Sequence, residues 1–390
     1  MKNNRTFLEK LLDGSEVEWK PLDEVANIVN NARKPVKSSS RVSGNIPYYG
    51  ANNIQDYVEG YTHEGEFVLI AEDGSASLEN YSIQWAVGKF WANNHVHVVN
   101  GKEKLNNRFL YHYLTNMNFI PFLAGKERAK LTKAKLQQIP IPIPPLSVQT
   151  EIVKILDALT ALTSELTSEL ILRQKQYEYY REKLLSEEEL GKVGFEWKTI
   201  DEISKKISSG GTPTTSNNGY YDNGTIPWLR TQEVDFKEIW DTNIKITEDA
   251  LNNSSAKWIP ANCVIVAMYG ATVGKTAINK IPLTTNQACA NIEINDKLAC
   301  YRYIFHYLTS KYEYIKSLGS GSQTNINAQI IKKLKVPVPP IEEQYRIVSI
   351  LDKFETLTNS ITKGLPLAIE QSQKRYEYYR ELLLNFPSRE

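Results

Sequence analysis

The sequence predicts an α+β chain: two pseudo-symmetric globular domains separated by a pair of long antiparallel coiled-coil helices. Three observations predict it. A set of motifs occurs twice in the same order, a proline-rich segment closes each globular stretch, and a long amphipathic run follows each such segment.

The repeats come first. Val17-Glu18-Trp19-Lys20-Pro21-Leu22-Asp23-Glu24 returns as Phe195-Glu196-Trp197-Lys198-Thr199-Ile200-Asp201-Glu202, and Gly44–Tyr48 as Gly224–Trp228. Arg108–Thr115 matches Arg302–Thr309, Ile139–Pro145 matches Leu334–Pro340, and Ile155-Leu156-Asp157 matches Ile350-Leu351-Asp352. Tyr177-Glu178-Tyr179-Tyr180-Arg181-Glu182 recurs letter for letter at Tyr376–Glu381. The Glu9-Lys10-Leu11-Leu12 stretch echoes Glu182-Lys183-Leu184-Leu185, so the N-terminus reads as the tail of a helix whose body the C-terminal end supplies. That implies a pseudo-cyclic chain. The segments are 1–146 (first domain, with the helix stub), 147–190 (first spacer helix), 191–340 (second domain) and 341–390 (second spacer helix).

Each domain mixes short β-like runs (Glu66–Ala71, His95–Val99, Cys263–Ala267) with Gly/Asn/Ser clusters. The prolines then stop regular structure, because each fixes φ and removes a donor. From Ser147 to Leu185 there is neither proline nor glycine, enough for a helix about 58 Å long. Apolar residues at three- and four-residue spacing make a seam. Its pairing candidates are Ile155, Leu159, Leu162, Leu166, Tyr177 and Tyr180, facing Ile350, Phe354, Leu357, Ile361, Tyr376 and Tyr379. Gly364 and Pro366 predict a break in the second helix.

Composition narrows the function. Of 390 residues, 41% are hydrophobic and 23% charged, which fits an ordered soluble protein. No apolar run approaches the ~20 residues of a membrane helix. The three cysteines form no CxxC pair, so neither zinc nor a disulfide framework is expected. The chain reads as cytoplasmic. Net charge is only +1, but the two domains carry +2 and +4 while the spacer segments carry −4 and −1.

Two similar modules held apart by rigid helices make a caliper, suited to reading two separated stretches of duplex DNA. The module frames match while their interiors diverge, with Tyr48-Tyr49-Gly50-Ala51-Asn52-Asn53 against Trp228-Leu229-Arg230-Thr231-Gln232-Glu233. Asn, Gln and Arg can make paired hydrogen bonds to base edges. Candidate DNA contacts are therefore Lys34, Tyr48, Tyr49, Asn52 and Asn53, with Arg230, Thr231 and Gln232 in the second module. The basic run adds Lys126, Arg128 and Lys130, set against Ser322, Gln323 and Asn325, and the turn at Tyr269 and Lys275 completes the set.

This order of modules, Pro-rich segments and helices, with Glu-Trp-Lys opening each module, resembles the specificity subunit of a type I restriction-modification enzyme. Ile46–Ala76 is similar to one class of target-recognition domain, and Gly270–Lys275 and Ser320–Ile326 resemble loops of others. The resemblance implies a non-catalytic subunit whose two target-recognition domains each bind one half of a split DNA target. It implies helices that fix the gap and dock two modification subunits, which bring S-adenosylmethionine and methylate adenine. Restriction subunits then add ATP-driven translocation and cleavage. No cofactor is expected on this chain itself; S-adenosylmethionine, ATP and Mg would belong to the partners.

The rival readings are weaker. Gly270-Ala271-Thr272-Val273-Gly274-Lys275-Thr276 has three residues, not four, before its Gly-Lys-Thr, one short of a phosphate loop. No methyltransferase Asn-Pro-Pro-Tyr occurs. His95 and His97 share a strand face with no neighbouring ligand in the sequence, and His112 and His306 read as packing residues. No metal and no catalytic set is expected. A structural coiled-coil adaptor without nucleic acid remains as an alternative, against which the divergent interiors argue. Thr163-Ser164-Glu165-Leu166 followed by Thr167-Ser168-Glu169-Leu170 reads as a helical length adjustment of roughly 6 Å per copy.

Overall fold

The computed structural model describes residues 6–387 except 126–128, 320–324 and 361. The chain divides into two compact units, one comprising residues 1–167 and 368–390 and the other 168–367. Each unit thus holds a globular part, half of the first long helix and one helix of the last fifty residues, a grouping that cuts across the four sequence segments.

In the first unit, six strands lie in the order Ala26–Ile28, Val96–Gly101, His63–Ala71, Ile83–Ala92, Ser43–Tyr49 and Ile54–Val58. Pairing is antiparallel except between Ser43–Tyr49 and Ile83–Ala92, where Tyr48 sits beside Trp91 in a parallel ladder. Phe67 to Ala71 is a run of buried residues because side chains on both faces meet a core, which erases the expected alternation. The helix Asn107–Thr115 covers the sheet, capped by Asn106, whose side chain accepts from the Arg108 and Phe109 amides.

The second unit keeps the parallel pairing and the covering helix but divides its strands between a five-stranded and a four-stranded sheet. Ile226–Leu229 runs parallel to Leu283–Thr285, with Trp228 beside Thr284. The antiparallel core is built from Ser204–Ser209, Cys289–Ile294, Val264–Ala267 and Thr276–Asn279. Helix Tyr301–Ser310 takes the place of Asn107–Thr115.

The proline-rich segments are strands rather than breaks. Pro140–Ile143 pairs antiparallel with Glu18–Pro21, setting Trp19 against Pro142, and Lys335–Val338 pairs with Glu196–Thr199, setting Trp197 against Pro337. A two-stranded ladder needs only alternate N–H groups, and the fixed φ of proline is compatible with an extended chain. Two motifs that look independent in the sequence therefore form one element that ties the start of each module to its end.

The first spacer is a single helix, Leu146–Leu184. The last segment is two helices, Ile341–Asn359 and Leu365–Leu384. Between them Gly364 has φ +83°, and a Cβ there would lie 2.6 Å from the carbonyl oxygens of Thr356 and Leu357, so glycine is required where the chain re-enters a helix.

Within each unit the helices run antiparallel. In the first, Thr163 Oγ1 lies 2.8 Å from Ser372 Oγ, while Ile152 and Leu156 share a core with Leu383 and Leu384. In the second, Tyr180 stacks on Phe354 at 5.6 Å, and Leu185 joins Ile347 and Leu351. Ile155, Leu159, Leu166, Tyr177, Ile350, Leu357, Tyr376 and Tyr379 are half-buried. Leu162 departs from the expected seam: it is 38% exposed, and the contact there is the polar Thr163–Ser372 pair instead. Ile361 lies outside the described residues.

The N-terminal helix is Phe7–Leu12, started by a Thr6–Glu9 capping box, and Leu8 and Leu12 enter the same core as Leu383 and Leu384. Its counterpart is Glu187–Gly191, capped by Ser186, rather than the end of the long helix. The two chain ends do share one core, as the repeat predicts.

Candidate nucleic-acid interface

A clamp at the junction of module and helix holds each module. In the first unit Asp157 on the long helix takes Arg108 Nε and His112 Nε2, each at 2.8 Å. In the second, Asp352 takes Arg302 Nε at 2.9 Å and His306 Nε2 at 2.8 Å, while Arg302 also reaches Glu355 and Glu238. Buried glutamines complete both junctions. Gln149 accepts from the Asn106 amide and donates to the Lys104 and Pro144 carbonyls, and Gln344 accepts from the Cys300 amide and donates to the Pro339 carbonyl. His112 and His306 are thus hydrogen-bond partners of the helix carboxylates, not mere packing residues. The signal was in the sequence, since Arg-x3-His, Ile-Leu-Asp and Pro-x3-Gln each occur in both copies.

Burial would push the Asp352 carboxyl up, yet His306 and Arg302 outweigh it and hold it below the ordinary value. Burial pushes Glu355 up despite the same cations. His306, Asp352 and Glu355 are close enough together to hold a metal ion, but the Arg302 guanidinium already sits on both carboxylates.

In the first unit, four loops meet. The turn Gly50–Asn53 follows strand Ser43–Tyr49, and Tyr49 O accepts from the Asn93 amide at 3.2 Å. Asn52 donates to Gly74 O and accepts from the Ala76 amide, both at 2.8 Å, which ties this turn to the loop after strand His63–Ala71. Leu131 N donates to Glu72 O, bringing in the segment that carries Lys130. Glu72 is held between Arg33 Nη1 at 2.7 Å and Lys130 Nζ at 2.9 Å. Burial alone would raise its carboxyl, but these cations with His97 hold it below the usual range. His95 meets Asp73 at 2.5 Å. Carboxylates therefore do approach His95 and His97, from a loop some twenty residues earlier.

The second unit uses the same main-chain frame. Leu229 O accepts from the Asn286 amide at 2.9 Å, and Ile326 N donates to Met268 O at 3.0 Å. Thr272 Oγ1 donates to Thr231 O at 2.8 Å, joining the Arg230–Glu233 turn to the loop Tyr269–Lys275. That loop connects two strands rather than a strand and a helix, so it is a turn and not a phosphate loop.

The structure sorts the candidates. Lys34 is exposed without an ion pair among the described residues, and Gln232 and Asn53 are exposed. Arg230 is half-buried, and its Nε has no partner among the described residues, like Asn325 Oδ1. Tyr269 is 38% exposed. Four candidates are occupied by the fold. Tyr48 is 1% exposed, with its hydroxyl accepting from the Val36 amide and Arg41 stacked on its ring. Thr231 is buried, Asn52 has both amide atoms engaged, and Tyr49 is half-buried against Phe90. Lys130 and Lys275 are exposed or half-buried but already face carboxylates, Lys275 meeting Asp235 at 2.6 Å. Lys126, Arg128, Ser322 and Gln323 lie outside the described residues.

A profile of the type I restriction modification DNA specificity domain matches the chain twice, over residues 14–173 and 192–371. The chain belongs to the type I restriction-modification specificity subunit family.

Two relatives agree. A Haemophilus influenzae protein named as a type I restriction enzyme specificity subunit is 64% identical, over 99% of this chain and 100% of its own. The EcoR124I/EcoR124II specificity subunit of Escherichia coli is 37% identical, over 99% of this chain and 98% of its own. In fold, the S subunit of a type I restriction-modification system from M. genitalium superposes with a TM-score of 0.61 at 14% identity, covering 100% of this chain and 99% of that one. This specificity subunit carries two DNA specificity domains and is the non-catalytic, target-recognising component of its system. Among the described residues no helix is long and apolar enough to cross a membrane.

Proposed function

We propose that the two modules each read one half of a split DNA target, and that the long helices set the gap between the halves and dock two modification subunits. The observation that carries this reading is the repeated main-chain frame. Tyr49 O with Asn93 N and Leu229 O with Asn286 N hold corresponding turns, while the side chains on those turns differ completely, Gly50-Ala51-Asn52-Asn53 against Arg230-Thr231-Gln232-Glu233. A kept scaffold with replaced side chains is what two different half-sites require.

The exposed or unpaired polar groups on those turns, Asn53, Arg230 and Gln232, and on the loops beside them, Lys34 and Asn325, are the contacts to DNA, with Tyr269 next to them. Lys130 and Lys275 reach phosphate only by leaving Glu72 and Asp235. The exposed Tyr179 and Tyr378 of the repeated Tyr-Glu-Tyr-Tyr-Arg-Glu motif offer amphipathic area to the modification subunits. Restriction subunits add to that assembly. S-adenosylmethionine, ATP and Mg are bound by these partners, and adenine is the methylated base. Methylome sequencing of a host with and without this chain tests the reading. A split motif with adenine in both halves is the expected result, and an unsplit motif or an unchanged methylome would refute it.

A further inference from the structure

The second unit has a cleft of about 890 Å³ that the described residues leave open. Its floor is apolar, with Tyr307, Ile315 and Leu334 buried beneath it, and its walls are Trp197 and Tyr314, 45% and 58% exposed. Lys311, Lys333 and Lys335 stand on the rim, all exposed. Among the described residues none of the three forms an ion pair, and no carboxylate lines the cleft.

The first unit shows what the corresponding face accepts. Trp19, the counterpart of Trp197, donates from Nε1 to Pro387 O at 3.1 Å. Phe386 beside it is buried, with its ring edge-on to Phe109 at 6.0 Å. The chain's own end, Leu384 to Pro387, covers that tryptophan face. In the second unit the equivalent stretch turns into helix Glu187–Gly191, Trp197 has the edge of Phe195 against its ring, and its Nε1 has no partner among the described residues.

We propose that this cleft receives an acidic peptide segment of a partner subunit, with an aromatic anchor on the apolar floor and a carbonyl accepting from Trp197 Nε1. The inference rests on the reading that the chain works inside a restriction-modification complex. The lysine rim asks for negative charge, which a peptide and a nucleic acid both carry. The apolar floor and the template in the first unit favour the peptide, because a phosphate backbone has no side chain to bury there.

The test uses the full-length chain. A labelled Glu-Asp-Phe-Pro-Glu-Asp peptide is titrated into the wild type and the variants Trp197→Ala, Lys333→Glu/Lys335→Glu and Trp258→Ala, the last an exposed tryptophan elsewhere in the unit. Saturable binding is expected, weakened at least tenfold by the first two variants and by added salt, and unchanged by the third. The charge-reversal pair changes only exposed side chains, so a folding defect in Trp197→Ala does not decide the matter. In assemblies with co-expressed modification and restriction subunits, the same two variants are expected to hold one partner at least tenfold less tightly.

Equal peptide binding by all variants overturns the proposal. So does normal assembly with tenfold weaker DNA binding, which would make the cleft a DNA surface, or a wild-type dimer abolished by Trp197→Ala, which would make it a self-contact. A wild-type chain that assembles with no partner overturns the reading of the complex instead, and the peptide titration still decides the cleft.

Discussion

His306 donates from Nε2 to Asp352 Oδ1 at 2.8 Å, fastening the helix that covers the second module to the helix that leaves it. His112 and Asp157 repeat the contact at the same distance in the first unit. Such a pair fixes the direction in which a spacer helix leaves its module, so under the proposed function the clamp serves the spacing of the half-sites as well as the fold. Replacing Asp352 with alanine leaves Arg302 with less than its full set of carboxylates and His306 with an unpaired buried nitrogen. The expected cost is about 2–3 kcal/mol. Hydrogen exchange in helix Tyr301–Ser310 checks it; protection equal to wild type would show that the clamp is ornamental.

Acid should loosen the first unit before the second. Burial lowers His63, His97 and His112 below their ordinary value of 6.5, against the raising pull of Val29 O, Leu131 O and Asp157 respectively. A histidine kept neutral in the folded state and protonated in the unfolded one contributes stability above pH 6.5 that is lost as the pH falls below it. The depressed Asp352 contributes stability that persists until the pH approaches the carboxylate range. Limited proteolysis at pH 7.5 and 5.5 should therefore release fragments from the first unit first. Simultaneous release would contradict the assignment.

The boundary between the compact units falls between Thr167 and Ser168, inside the Thr-Ser-Glu-Leu duplication. Deleting Thr167–Leu170 removes about 6 Å of helix. The methylated motif should keep both half-sites and lose spacer, by one or two base pairs at the DNA rise of about 3.4 Å. Altered half-site letters would show that the helices and modules do not divide the labour.

Arg230 carries a guanidinium whose Nε has no partner among the described residues, at the position where the first module has Gly50. Arg230→Ala should leave thermal stability nearly unchanged and weaken target binding about 10- to 100-fold, the worth of one bidentate base contact. The methylated motif should degenerate in one half-site only. Loss of stability with an intact motif would mark the arginine as structural.

By itself the amino-acid sequence determined the duplication, the two modules, the length of the first helix and the interruption at Gly364. All of these follow from local periodicity and backbone conformation, which neighbouring residues decide. It also carried the clamp in its repeated Arg-x3-His and Ile-Leu-Asp motifs, although a pairing over 46 residues is invisible until the helix is docked. Only the tertiary structure decided which polar side chains remain free. Tyr48, Asn52 and Lys275 have the chemistry of DNA contacts, but distant backbone groups and carboxylates claim them first, and Arg230 is left over. It also decided that the proline-rich runs become strands, because an extended partner, Glu-Trp-Lys, lies more than a hundred residues away and supplies the ladder. Hydrogen-bond satisfaction is a property of the folded neighbourhood, and residue type alone does not specify it.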